Sequence, residues 1–183
     1  MNYKLIKKDF VMVDGVKLYR IEAIKDIPIH RVKKGDKGGY IEKIGNLSGN
    51  AWVYDSARVY GSARVSGSAR VYGDAWVYGN ARVYDSARVY GNAVVSGDAW
   101  VCGNARVYDS ARVYGNAVVY GNAWVYGNAR VYGNAEVSCN AWVYGNAEVS
   151  GDAWVYGNAR VYGSARVYGD ALVYGDARIN KGK

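Results

Sequence analysis

Ala123-Trp124-Val125-Tyr126-Gly127-Asn128 is one of twenty-two hexapeptides that follow one another without insertion from Ala51 to Gly182, the last of them degenerate. With few exceptions the unit reads Ala-x-Val-Tyr/Ser-Gly/Asp-Asn/Asp/Ser. Ala123 and Val125 are two residues apart, so in a strand they share one face, and Trp124 and Tyr126 take the other. Gly127 and Asn128 then read as a corner. Glycine accepts backbone angles that other residues resist, and asparagine tolerates the left-handed region better than most. Asp74 and Ser62 at equivalent corners have side chains that bond readily to their own backbone.

A strand this short, with one alanine and one valine turned inward, has no core of its own. Stacking supplies one, because each coil hydrogen-bonds to the next and the Ala/Val faces merge. The expectation is an all-β chain, a single-stranded parallel β-solenoid. An array of hairpins would need different turn chemistry in alternate units. A helical solenoid is excluded by the period and by the abundance of Gly, Val and Tyr.

The pattern Val-Tyr-Gly-Asn-Ala-Arg, with an aliphatic residue at one site and a small one four later, resembles the hexapeptide repeat of left-handed parallel β-helices. That resemblance covers about three-quarters of the chain. It implies three hexads per coil, hence about 18 residues, with a triangular section and left-handed winding. Gly38-Gly39-Tyr40-Ile41-Glu42, followed by Asn46-Leu47-Ser48 and Trp52-Val53-Tyr54-Asp55, is similar to a narrower group of bacterial and phage proteins labelled as transferases or polymer-forming proteins. On this reading the hexads make about seven coils, and at ~4.8 Å per coil the rod is roughly 35 Å long. Ile41 and Leu47 fall in register with the valine column and place the first coil there.

Residues 1–45 are expected to form an N-terminal β cap and residues 46–183 the hexapeptide β-helix. Asp14-Gly15 between the apolar runs Phe10–Val13 and Val16–Ile21 is a strong hairpin signal. Pro28 interrupts the segment that follows, since it cannot donate to a sheet ladder. A hairpin over the first coil would cover strand edges that otherwise invite aggregation. The alternative for this segment is a docking surface built from Lys4, Lys7, Lys8, Lys17, Lys33, Lys34 and Lys37. Net charge is +8, and residues 1–45 hold 11 basic against 6 acidic side chains, so the cap is the more basic part for its length. That permits an acidic partner without requiring one. No apolar run is long enough for a membrane-spanning helix, and residues 1–10 lack the apolar stretch of a secretory signal, so a cytoplasmic location is expected and no membrane partner. Cys102 shares its column with Ser138, two coils on, and Cys139 is the next residue, which puts the thiols roughly 10 Å apart, too far to pair. With no supporting histidine or third cysteine, no metal site is expected.

The register sorts the outward side chains into three faces. Face one carries Trp52, Arg70, Arg88, Arg106, Trp124, Trp142, Arg160 and Arg178, beside an unbroken column of Tyr54, Tyr72, Tyr90, Tyr108, Tyr126, Tyr144 and Tyr162. Stacked tyrosines protect a sheet whatever else they do. Arg70, Arg88 and Arg106 are three like charges one rung apart, which an anionic ligand or cation–π contact with neighbouring tyrosines would offset. Arg70, Arg88, Arg106, Tyr72, Tyr90, Tyr108, Trp124 and Trp142 are therefore the candidate binding residues. Face two carries Arg58, Trp76, Val94, Arg112, Arg130, Glu148 and Arg166, with a charge ladder around Glu148. On face three Trp100, Val118, Trp154 and Leu172 form an apolar strip broken by Glu136, a candidate oligomer contact.

Acyltransferases dominate the named members of the wider β-helix family, and they use a histidine base and projecting loops. This chain has one histidine, His30, outside the repeats, and no insertion in the hexads. No catalytic residue and no cofactor is expected. The leading expectation is a non-catalytic solenoid, a binding, structural or self-assembling protein. Its partner would be a protein or a second copy, as a homotrimer or end to end. The resemblance adds a phage or prophage accessory role that engages a host macromolecule. The alternatives are a hexapeptide-class acyltransferase and a protein that binds nucleic acid or another polyanion through the Tyr/Arg face.

Overall fold

In the computed structural model, described for residues 1–181, the chain winds into an all-β solenoid of stacked parallel coils. Gly182 and Lys183, which end the degenerate last hexad, lie outside the described residues. Each hexad adds one strand, two residues long at its x-Val positions, as in Trp124–Val125, except Arg160–Gly163 and Arg178–Lys181, which have four. Its partners lie 18 residues away: Arg88 pairs with Arg70 and Arg106, and Val89 with Val71 and Val107. Three sheets result, one per hexad of the coil, with face one running from Trp52–Val53 to Arg178–Lys181. Val89 and Val107 thus share a side, as the alternation requires.

The strands are short but the hydrogen bonding is continuous. Arg88 N donates to Ala105 O (2.9 Å), Tyr90 N to Val107 O (3.0 Å) and Asn92 N to Asp109 O (2.7 Å), so the ladder runs on through the corner and few backbone groups are left to water. Inside, each alanine and valine of the repeat from Ala57 to Val161 is fully buried. Burying a valine side chain contributes about 1.5–3 kcal/mol. No single coil gathers enough of this to offset the entropy of ordering its own residues, so the coils stand together.

At the corners the fifth position of the hexad takes the left-handed conformation. Glycine holds it at Gly127 (φ 71°), and Asp55, Asp85, Asp109 and Cys139 are the non-glycine cases in the repeats (φ 52–58°). The sequence reading spread left-handed tolerance over both corner residues. The structure corrects this, because no asparagine of the repeats has a positive φ. The sixth-position amides bond along the rod instead. Asn104 Nδ2 donates to Asn122 Oδ1 (3.1 Å), and the chain continues through Asn140 and Asn158 to Asp176.

The N-terminal hairpin is present and longer than its apolar runs. β1 (Tyr3–Val13) and β2 (Val16–Ala23) pair antiparallel around Asp14 (φ 48°) and Gly15 (φ 80°), with a register shift between Ile6 and Phe10. β3 (Lys37–Ile41) joins the two regimes. It runs antiparallel to β2 through Tyr19↔Ile41 and parallel to the first face-two strand through Ile41↔Val59. The hairpin therefore prolongs the face-two sheet, while Tyr3, Ile21 and Ala23 close the first coil from inside. Leu47 bridges to Val65, and buried Asn46 donates to Ala63 O (2.9 Å) and Gly61 O (3.2 Å). Pro28 begins a short 3-10 turn, Pro28–His30, in the loop between β2 and β3. Ile27 and Val32 of that loop are buried with Trp52, which is 1 % exposed. Trp52, expected in solvent at the head of face one, is instead core beneath this loop.

Candidate binding surface

The in-register strands of face one set Arg70, Arg88, Arg106, Trp124 and Trp142 in one outward column and the tyrosines in a second. The tyrosines form a true stack. Tyr72–Tyr90, Tyr90–Tyr108, Tyr108–Tyr126, Tyr126–Tyr144 and Tyr144–Tyr162 have centroids 4.6–5.1 Å apart and planes within 5°. The rung repeat sets this distance, and the rings meet it by lying offset. Tyr54 departs from the rank. It stands edge-on to Tyr72, and its hydroxyl donates to His30 O (3.3 Å), held by the loop that covers Trp52.

Among the described residues no carboxylate pairs with Arg70, Arg88 or Arg106; the ion pairs lie in the cap and around Glu148. Arg70 donates to Ile29 O (3.3 Å) at the edge of the covering loop. Relief by tyrosine rings, expected from the sequence, is not what the geometry shows. The cation–π partners on the rod are tryptophans: Arg106 lies over Trp124 (4.7 Å), Arg160 over Trp142 (4.7 Å), Arg58 over Trp76 (4.9 Å) and Arg82 over Trp100 (5.0 Å). The signal for these pairs was an arginine one coil from a tryptophan in the same column. Trp124 and Trp142 stack at 5.0 Å. Arg70 and Arg88 are left with neither a carboxylate nor a tryptophan. Burial pushes the Tyr72 hydroxyl up, against the lowering pull of Arg88, Arg70 and Arg106. Tyr108, flanked by Tyr90 and Tyr126, is pushed up to about 12, first by burial. Tyr72 and Tyr108 therefore stay neutral at physiological pH beside the arginines.

On face three Trp100, Trp154 and Leu172 are exposed (39 %, 48 % and 58 %), while Val118 is half-buried. Arg82 lies on Trp100, and Glu136 sits between Val118 and Trp154, so the strip divides in two. Trp154 and Leu172 remain as adjacent exposed rungs. On face two Glu148 is 3.6 Å from Arg130 and 3.5 Å from Arg166, the ladder that the column order implied.

His30 lies 7 % exposed and edge-on to Tyr54, with neither ring nitrogen hydrogen-bonded. Burial, then the Arg70 charge, lowers its pKa below the usual 6.5. Its setting is a closed contact between loop and rod. Cys102 and Cys139 are free thiols, the first half-buried and the second exposed.

A family model described as YdcK beta solenoid repeat matches the chain at residues 57–73, 63–79, 75–89, 87–103, 99–112, 111–127, 123–138, 153–169 and 165–181, more than half of its length. The gap at 139–152 opens on Cys139, which holds a glycine position. No curated protein matches the chain.

Proposed function

The chain belongs to the YdcK beta solenoid repeat family, and from that premise we propose that it is a non-catalytic binding rod whose face one engages an acidic macromolecule. One observation carries this reading: Arg70 and Arg88 stand one rung apart, with no carboxylate partner among the described residues, beside a continuous stack of tyrosines. Like charges at that spacing repel, and a bound polyanion removes the repulsion. Aromatic faces with interleaved arginine are also the chemistry of single-stranded nucleic-acid grooves. The test is binding of a mixed-sequence single-stranded oligonucleotide over a range of salt. Affinity should fall steeply with salt, and Arg88→Gln should reduce the slope of log K against log salt by about 1. Arg88→Glu leaving affinity and slope unchanged would overturn the proposal.

A second reading rests on the exposed neighbours Trp154 and Leu172 on face three. Adjacent apolar side chains of this size mark contact surfaces, and here the occupant would be a second copy of the chain. Sedimentation mass separates the two readings, since Trp154→Glu should dissociate an oligomer without touching oligonucleotide binding.

A further inference from the structure

Face two also carries a tyrosine column, and it is broken. Tyr60 and Tyr78 stack at 5.1 Å, and Tyr114 and Tyr132 stack at 5.0 Å, but the rung between Tyr78 and Tyr114 holds Ser96. On that same rung the other outward position is Val94, where neighbouring rungs carry Trp76 and Arg112. Two large side chains are thus missing side by side, and a groove of about 640 Å³ lies there. Its floor is Val94 and Ser96. Trp76 and Tyr78 form one wall, and Arg112 and Tyr114 the other.

The dimensions follow from the intact stacks. Offset rings one rung apart are in van der Waals contact, so removing one ring from a rank leaves space for one planar ring in the same attitude. Arg112 has no carboxylate partner among the described residues, whereas Arg130 beyond it is held by Glu148. Asp74 and Asn92 close the far end of the groove and offer acceptors to an amino group.

The other serine rungs of the repeats differ. Ser66 lies beside Arg64 and has Tyr84 on one side but Ser48 on the other, so no pair of rings flanks it. Ser138 lies beside Glu136, and Ser150 beside Glu148, so each of those gaps has a carboxylate at its floor. The Ser96 gap alone of these four lies between two tyrosines with an apolar floor and a free cation on its wall.

We propose that the Ser96 gap binds a small planar aromatic anion, its ring taking the place of the absent tyrosine between Tyr78 and Tyr114 and its anionic group meeting Arg112. This site is independent of face one.

Calorimetric titration of the full chain with adenosine 5′-monophosphate, adenosine and inorganic phosphate tests it. The nucleotide should bind with one site per chain, more tightly than adenosine, and phosphate alone should give no saturable heat. Ser96→Tyr restores the residue that the column carries on neighbouring rungs, so it should fold, melt no lower than the parent and abolish binding. Arg112→Gln, at an exposed position, should weaken the nucleotide about tenfold and leave adenosine unchanged. Ser150→Tyr should leave all three titrations as they were. No saturable nucleotide binding at millimolar concentration, equal binding by folded Ser96→Tyr, or an Arg112→Gln variant indistinguishable from the parent would each overturn the proposal. None of these outcomes bears on oligonucleotide binding by face one.

Discussion

At the scale of single residues, two positions show how little freedom the junctions leave. Gly39 lies where β3 enters the first coil. A Cβ there would come within 2.6 Å of Ala57 O and of Val53 Cγ1, and within 2.8 Å of Tyr54 O. Two of those atoms are backbone and cannot rotate away. Gly39→Ala should therefore cost about 1–3 kcal/mol, read as a lower midpoint in urea unfolding with an unchanged slope. Cys139 is the opposite case. It holds φ 57° at a position given to glycine on most rungs. Asp55, Asp85 and Asp109 bear the same conformation, but each accepts the next coil's corner N–H, at 3.1–3.3 Å. Among the described residues Cys139 accepts no such bond; its sulfur accepts from Ser138 Oγ, at 3.9 Å. Cys139→Gly should raise stability by about 1 kcal/mol, measured in the same way. The glycine-rich corner was legible because so many rungs carry glycine there, but the sequence leaves its left-handed residue to either of two positions and the structure assigns it to the fifth. The burial of Trp52 was not, since the repeat pattern marks its position as outward and only the folded loop reverses that.

At the scale of elements, the corner asparagines illustrate a signal that the hexad motif hides. Read within one hexad, asparagine looks like a turn residue. Read at a spacing of 18, Asn104, Asn122, Asn140 and Asn158 form a file of amides, each donating to the next. Asn122→Ala removes both of its side-chain bonds, to Asn104 and Asn140, and should cost about 1 kcal/mol, seen as a lower thermal midpoint. The covering loop between β2 and β3 gives a second prediction at this scale. His30 is buried beside Arg70 and Arg88 with its pKa lowered. The unfolded chain therefore takes up the proton first. Stability is intact above the ordinary value of 6.5 and declines as pH falls below it towards the folded-state pKa. Protection factors of the amides across residues 24–36, corrected for the intrinsic slowing of exchange in acid, should fall from pH 7 to pH 5, and His30→Phe should remove that fall. The hairpin itself was legible from Asp14-Gly15. The loop's docking was not, because Ile27, His30 and Val32 follow no period: Ile27 and Val32 bridge each other, and His30, which lies outside the repeats, meets Tyr54.

For the whole molecule, two periods are written into one chain, and they govern different things. The inward pattern of alanine and valine repeats every six residues, so any hexad satisfies the core at any face. The outward pattern of arginine, tryptophan, tyrosine and corner amides acquires meaning only at 18, where side chains meet on successive rungs. This is why the solenoid was readable from a single unit while cation–π pairs, amide files and gaps in the tyrosine rank were not: they are relations between hexads. The distinction is open to a direct test by deletion. Removing Ala129–Asn146 excises one full coil and leaves each later residue on its own face. Removing Ala81–Ser86 excises one hexad and rotates all that follows by one face. Both deletions preserve the inward seam, and in a solenoid stability sums over neighbouring repeats, so both should fold with parent-like circular dichroism and melt cooperatively. Their surfaces should part company. The coil deletion keeps Arg70, Arg88 and Arg106 in file and should retain salt-dependent oligonucleotide binding. The hexad deletion places Val94 and Ser96 next above Arg70 and Tyr72, breaks both columns of face one and should abolish that binding while the rod stands. A hexad deletion that unfolds, or that binds as the parent does, would show that core and surface are not separately encoded.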